Sequence, residues 1–136
     1  MTTTEILNIL NQKKDLSFQA IFEEMPDLTF PILLDTYCVQ KQIKKSELIK
    51  KTNLDRTYAY KIMNGFRVPS QDKVIQFALA LHLDVHDTNL LLTLSNNKSL
   101  YPKIKRDALI IYSLNHQLSV IQTNELLDEY HFHILE

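Results

Sequence analysis

Apolar residues recur at helical spacing along most of the chain, which predicts a succession of short helices. Ile6, Leu7, Ile9 and Leu10 mark the first, over about Thr3 to Asn11. A polar break, Gln12-Lys13-Lys14-Asp15, separates it from a second over Leu16 to Met25, where Leu16, Phe18, Ile21, Phe22 and Met25 are apolar. Pro26-Asp27 ends that pattern. The aromatic residues of these two helices need cover, from the rest of the chain or from a second subunit. Thr29 then offers an N-cap with Pro31 in the first turn, and a helix to about Lys41 turns Leu33, Leu34 and Tyr37 inward, with Cys38 beside them.

The stretch Ile43 to Gly65 reads as two short helices joined by a tight turn. Leu48, Ile49 and Thr52 form the inward face of the first, and Lys44, Lys45, Lys50 and Lys51 occupy its other sides. Asp55 stands where an N-cap belongs, so that its carboxylate meets the free N–H groups of the helix Arg56 to Asn64. There Ala59, Ile62 and Met63 face inward, leaving Arg56, Thr57, Tyr60, Lys61 and Asn64 largely outside. Asn53 takes the turn in an expected left-handed conformation, and Gly65, the chain's one glycine, ends the second helix. After the connector Arg67-Val68-Pro69, Ser70 is expected to cap a helix through about His82 with Val74, Ile75, Phe77, Ala78 and Leu81 as core.

An internal repeat follows. Leu83 to Leu92 returns 35 residues later as Leu118 to Leu127, and the preceding helices also correspond: Val74-Ile75 with Leu109-Ile110, Phe77 with Tyr112, Leu79 with Leu114. Each unit is a helical hairpin, with Asp84 or Ser119 as N-cap and a capping box at Ser119-x-x-Gln122. Two copies are too few for a solenoid, so the second hairpin should stack on the first across the loop Ser95 to Pro102.

Composition supports this helical picture. One glycine, four prolines and no tryptophan in 136 residues, rich in Leu, Ile and Lys, point to an all-α chain. Net charge is only −1, but its distribution is lopsided. Between Gln40 and Ser70 eight bases face two acids, hence +6, while the remainder carries seven bases and fourteen acids, hence −7. Such a basic patch on an acidic body orients a molecule toward polyanions. A lone cysteine, the lack of an apolar run near the ~20 residues of a membrane span, and no signal peptide suit a soluble cytoplasmic protein without membrane attachment.

On these residues the chain resembles the lambda-repressor-like family of phage and bacterial helix-turn-helix regulators, over roughly residues 30 to 95. Lys45 opens the first motif helix, Leu48 and Ile49 are its core, Asn53 takes the turn, Asp55-Arg56-Thr57 open the recognition helix, and Asn64-Gly65 close it. The resemblance implies base contacts from Arg56, Thr57 and Lys61, and phosphate contacts from Lys45, Asn64 and Arg67. Lys44 adds charge where the family has a capping Ser or Thr, and Tyr58 and Tyr60 join the candidate set through packing and a phosphate hydrogen bond. Two further departures concern the core. Ile49 stands for the usual alanine and Ala59 for the usual bulky aliphatic, a size swap, while a frequent Arg–Glu pair falls at Cys38 and Met63.

The expected organisation is an N-terminal helical extension (residues 1–28), a helix-turn-helix domain (29–97) and a C-terminal helical hairpin (98–136). In that hairpin Leu109, Ile110, Ile111, Tyr112 and Leu114 run nearly all round one helix, which suits burial on two sides. The chain beyond Arg106 has acids but no Lys or Arg, so dimerisation, internal packing or docking of another protein is its expected role rather than DNA contact. No catalytic or cofactor pattern is present. His131-x-His133 lacks the partners of a four-ligand metal site, His82, His86 and His116 lie at helix ends, and Cys38 reads as an inert core thiol. The expected function is that of a regulator that binds double-stranded DNA as a homodimer. An adaptor that keeps the helix-turn-helix only as a scaffold for protein contacts is the alternative.

Overall fold

The computed structural model describes residues 2–11 and 15–136, with nine helices and no strand among them. The helices are α1 (Thr3–Leu10), α2 (Asp15–Glu24), α3 (Phe30–Gln40), α4 (Lys45–Lys51), α5 (Arg56–Met63), α6 (Gln71–Ala80), α7 (Val85–Leu94), α8 (Lys105–Asn115) and α9 (Val120–Glu129). None is long and apolar enough to cross a membrane. The break expected at Gln12–Lys14 lies outside the described residues, as does the side chain of Leu16.

Side-chain caps start the helices where the sequence provides them. Thr29 accepts from the Ile32 N–H, Asp55 from Tyr58 at 3.0 Å, and Asp84 from Asp87 at 2.8 Å. The capping box is formed in both directions, the Gln122 N–H donating to Ser119 Oγ and the Ser119 N–H to Gln122 Oε1. Ser70 precedes α6 in extended conformation, but its hydroxyl makes no capping bond. Lys44, which has no side-chain acceptor, likewise leaves α4 uncapped.

Helix ends follow one rule six times over. Behind α3, α5, α6, α7, α8 and α9 a residue with positive φ reverses the chain: Gln42, Gly65, His82, Asn96, Gln117 and His131. In each case the next residue's N–H reaches back to a carbonyl five positions earlier, as Phe66 does to Lys61 at 2.8 Å and Leu118 to Ser113 at 3.0 Å. Only one of the six is glycine. Gly65 also lies close to α3, where a Cβ would make a tight contact of 3.3 Å with Pro31 Cγ.

One hydrophobic core runs from Phe30 to Leu135, so the C-terminal hairpin shares it with the helices before it. The two hairpins, α6–α7 and α8–α9, repeat each other's internal bonds and then exchange a reciprocal pair of contacts. The Asn89 side chain accepts the Leu100 N–H at 2.8 Å, and Asn124 accepts that of Leu135 at 2.8 Å. Gln71 donates to the Lys98 carbonyl, and Arg106 to that of His133, each donor and each acceptor 35 residues from its equivalent. Tyr101, at the end of the first unit, donates its N–H to Asp107 of the second; Glu136, at the same place in the second, donates to Asp72 of the first. Likewise α6 packs on α9 as α8 packs on α7, with α6 and α8 against each other. That exchange is the signature of an approximate two-fold axis, which refines the expected stacking.

The outer faces of the two units differ. α3 and α4 lie on α7 and α6, and Val74, Phe77 and Leu91 are wholly buried. Their equivalents on α8–α9, Leu109, Tyr112 and Leu126, are half-buried or exposed, Tyr112 at 51%. Burial on two sides, expected of α8, holds within this chain for one side. At the other end α1 and α2 pack on each other, Ile21 is buried, and Phe22 is 66% exposed with its ring stacked on Phe18 at 5.7 Å. The cover that these aromatic residues need is not supplied among the described residues.

Candidate functional site

The pair α4–α5 carries the candidate residues, and its core side is built as the spacing requires. Leu48, Ile49, Ala59, Ile62 and Met63 are buried, while Lys44, Lys50, Lys51, Arg56, Thr57, Lys61 and Asn64 are exposed. The turn differs from expectation. Asn53 does not have positive φ. Thr52 instead leaves α4 in extended conformation, its hydroxyl donating to the Ile49 carbonyl at 2.7 Å and accepting from the Leu54 N–H. The Asn53 N–H donates across the domain to Gln76 Oε1 of α6 at 3.0 Å. A side-chain tie from outside the pair thus replaces the left-handed residue.

Outward, Thr57, Tyr60, Lys61, Asn64 and Arg67 line one open recess together with Phe66. Two contacts organise its margin. Lys45 Nζ donates to Asn64 Oδ1 at 3.4 Å and so links the start of α4 to the end of α5, and the Arg56 guanidinium lies 5.8 Å from the centre of the Tyr60 ring. Seven of the nine candidate residues therefore belong to one continuous surface. The other two stand apart. Tyr58 is half-buried with Lys73 of α6 5.5 Å above its ring, and Lys44 is exposed at the N-cap of α4.

Cations dominate this face: Lys61 and Arg67 line the recess, Lys45 and Arg56 adjoin it through Asn64 and Tyr60, and the Asp55 carboxylate is held by its cap bond. Cys38 lies behind it in the core, where burial pushes its thiol up, Asp35 adds to that, and Lys45 opposes it. Such a thiol is a poor nucleophile. Asp84, His86 and Asp87 come close enough together to share an ion, yet they are surface groups at the start of α7 and Asp84 already serves as its cap.

Three residues of this region escaped the sequence reading. Phe66 and Val68 stand in the loop after α5, each 74% exposed. Gln76 is the single polar residue in the run Val74 to Leu81, a signal for a buried polar tie, and its Nε2 has no partner among the described residues. No protein-family model, curated protein or solved structure matches this chain.

Proposed function

We propose that the chain is a sequence-specific regulator of transcription, built on a lambda-repressor-like helix-turn-helix, that reads double-stranded DNA with α5. The observation that carries this reading is the convergence of Thr57, Tyr60, Lys61, Asn64 and Arg67 around one exposed recess on the +6 segment. In this reading α5 enters the major groove. Arg56 and Lys61 donate to guanine O6 and N7, and Thr57 meets a thymine methyl or a phosphate. Lys45, Asn64 and Arg67 hold the backbone, and Lys44 adds charge at its edge. The stacking of Arg56 on Tyr60 limits the freedom that the guanidinium loses on binding.

The protein works as a homodimer on a near-palindrome with half-sites about one helical turn apart, roughly 34 Å. The uncovered α8–α9 face, with Tyr112, Tyr130 and Phe132 around one recess, supports a partner there. The same observation favours a second reading, in which the chain is an adaptor that docks another protein on α8–α9 and binds DNA weakly or not at all. Buried Cys38, without a disulfide partner, suits work in a reducing cytoplasm.

Replacing both Arg56 and Lys61 with alanine separates the two readings. Both side chains are exposed, so helix content and melting temperature should change little, within about 0.5 kcal/mol of stability per site. Discrimination between selected and scrambled duplexes should collapse, because each lost bidentate contact is worth roughly 1 to 3 kcal/mol against the wrong base. An adaptor would keep its activity with both residues replaced and lose it when Tyr112, exposed on the α8–α9 face, is replaced instead.

A further inference from the structure

Phe66 is exposed at a position where apolar residues ordinarily fold back on their own helix. It directly follows the positive-φ residue behind α5, and Ile43, Leu83, Leu118 and Phe132 hold the same place behind α3, α6, α8 and α9. All four are buried or half-buried. Phe66 is 74% exposed, and Val68 beyond it equally so. A phenylalanine left in water forgoes the stabilisation that the other helix ends collect, and the local backbone does not force it, since the hydrogen bonds at this end match those of the others.

The exposed ring is one wall of an open recess. The other side is Thr57, Tyr60, Lys61 and Asn64, four residues at helical spacing on the outward face of α5, and the wall is mostly carbon. Lys61 and Arg67 belong to the same lining, and the Arg56 guanidinium lies over Tyr60 beside it. The cations of this lining call for a polyanion, and its carbon surface calls for an apolar group. Of the groups that base pairs present in the major groove, the C5-methyl of thymine is the apolar one. We infer that this recess receives a thymine methyl of duplex DNA, with Phe66 as its apolar wall and as a specificity-determining residue outside the recognition helix. This inference rests on the DNA-binding reading and adds to it a base that is chosen by its methyl group.

The test uses the full chain and duplexes enriched by it from a random pool. In an enriched duplex each thymine is replaced in turn by uracil, which removes the methyl and leaves every hydrogen-bonding group. One position per half-site should lose affinity by about fourfold, the worth of one buried carbon group. Phe66→Ala should abolish that difference by binding the thymine and uracil duplexes equally, and Phe66→Leu, which keeps an apolar wall, should retain most of it. Uracil tolerated at every position would overturn the inference while leaving DNA reading intact. So would a Phe66→Ala variant that binds both duplexes more weakly by the same factor, because the ring would then pack on the backbone or serve the fold. A pool from which no sequence is enriched overturns the DNA reading and this inference with it. The uracil series on the unaltered chain stands whether or not either variant folds.

Discussion

Gln42, His82, Asn96, Gln117 and His131 hold a left-handed backbone that glycine alone adopts without cost, and Gly65 is the only one of six such positions so filled. From sequence, glycine marked the end of α5, while the other five ends carried no such mark, because their residues are ordinary polar ones. The same ambiguity misplaced Asn53: asparagine tolerates the left-handed region but does not require it, and Gln76 settled the turn instead. Two substitutions follow from the strain. Gln117→Gly, at an exposed site behind α8, should raise stability by about 1 kcal/mol in urea unfolding, the left-handed penalty of a residue with a Cβ. Gly65→Ala should cost roughly 1 to 2 kcal/mol by the same penalty, and the 3.3 Å approach to Pro31 Cγ should add to it. Equal melting of Gly65→Ala and the unaltered chain would remove this account of the helix ends. Phe66 was the least legible residue, since an apolar side chain behind a helix reads as core and only its observed exposure says otherwise.

At the scale of elements, starts were more legible than ends. Thr29, Asp55, Asp84 and Ser119 all cap as their chemistry dictates, and eight apolar or small residues on α3, α4 and α5 turn inward at the spacing read from the chain. The set of outward residues on α5 was legible for the same reason. What was not legible is the tie between elements, the buried Gln76 that holds the α4–α5 turn from α6 and the link from Lys45 to Asn64, because partners distant in sequence leave no periodic trace. The Ile49 and Ala59 exchange is a statement about two elements at once. Both residues are buried, on α4 and α5, which pack on each other. Ile49→Ala should cost roughly 2 to 4 kcal/mol by leaving a cavity. Adding Ala59→Ile should recover part of that loss, and strict additivity in a double-mutant cycle would show that the two side chains do not share a contact.

In the whole molecule, the 35-residue repeat was legible as two hairpins, but their mutual arrangement was not, because it depends on which outer faces are covered. Asp72 is its most informative residue. Its carboxylate takes two hydrogen bonds of 3.2 Å from Arg106 and a third from the Glu136 N–H, so it joins the first unit to both ends of the second. Asp72→Ala should therefore destabilise the chain by roughly 1.5 to 3 kcal/mol, the range for hydrogen bonds to a charged group. Proteolysis should then release the segment after Glu129 first; unchanged resistance there would show that Asp72 does not hold it. The reciprocal contacts also carry a meaning in the terms used for assemblies. Repeats joined head to tail present unlike faces, so each new copy offers a free end and the array can lengthen. Hairpins related by a two-fold axis present the same face to each other, an isologous contact made inside one chain, and such a contact is saturated at two. Further duplication of this unit has no vacant face on the α6–α8 side. Of the two faces where the copies have diverged, α3 and α4 already cover the one on the first hairpin, and the one at Tyr112 is left for a further partner.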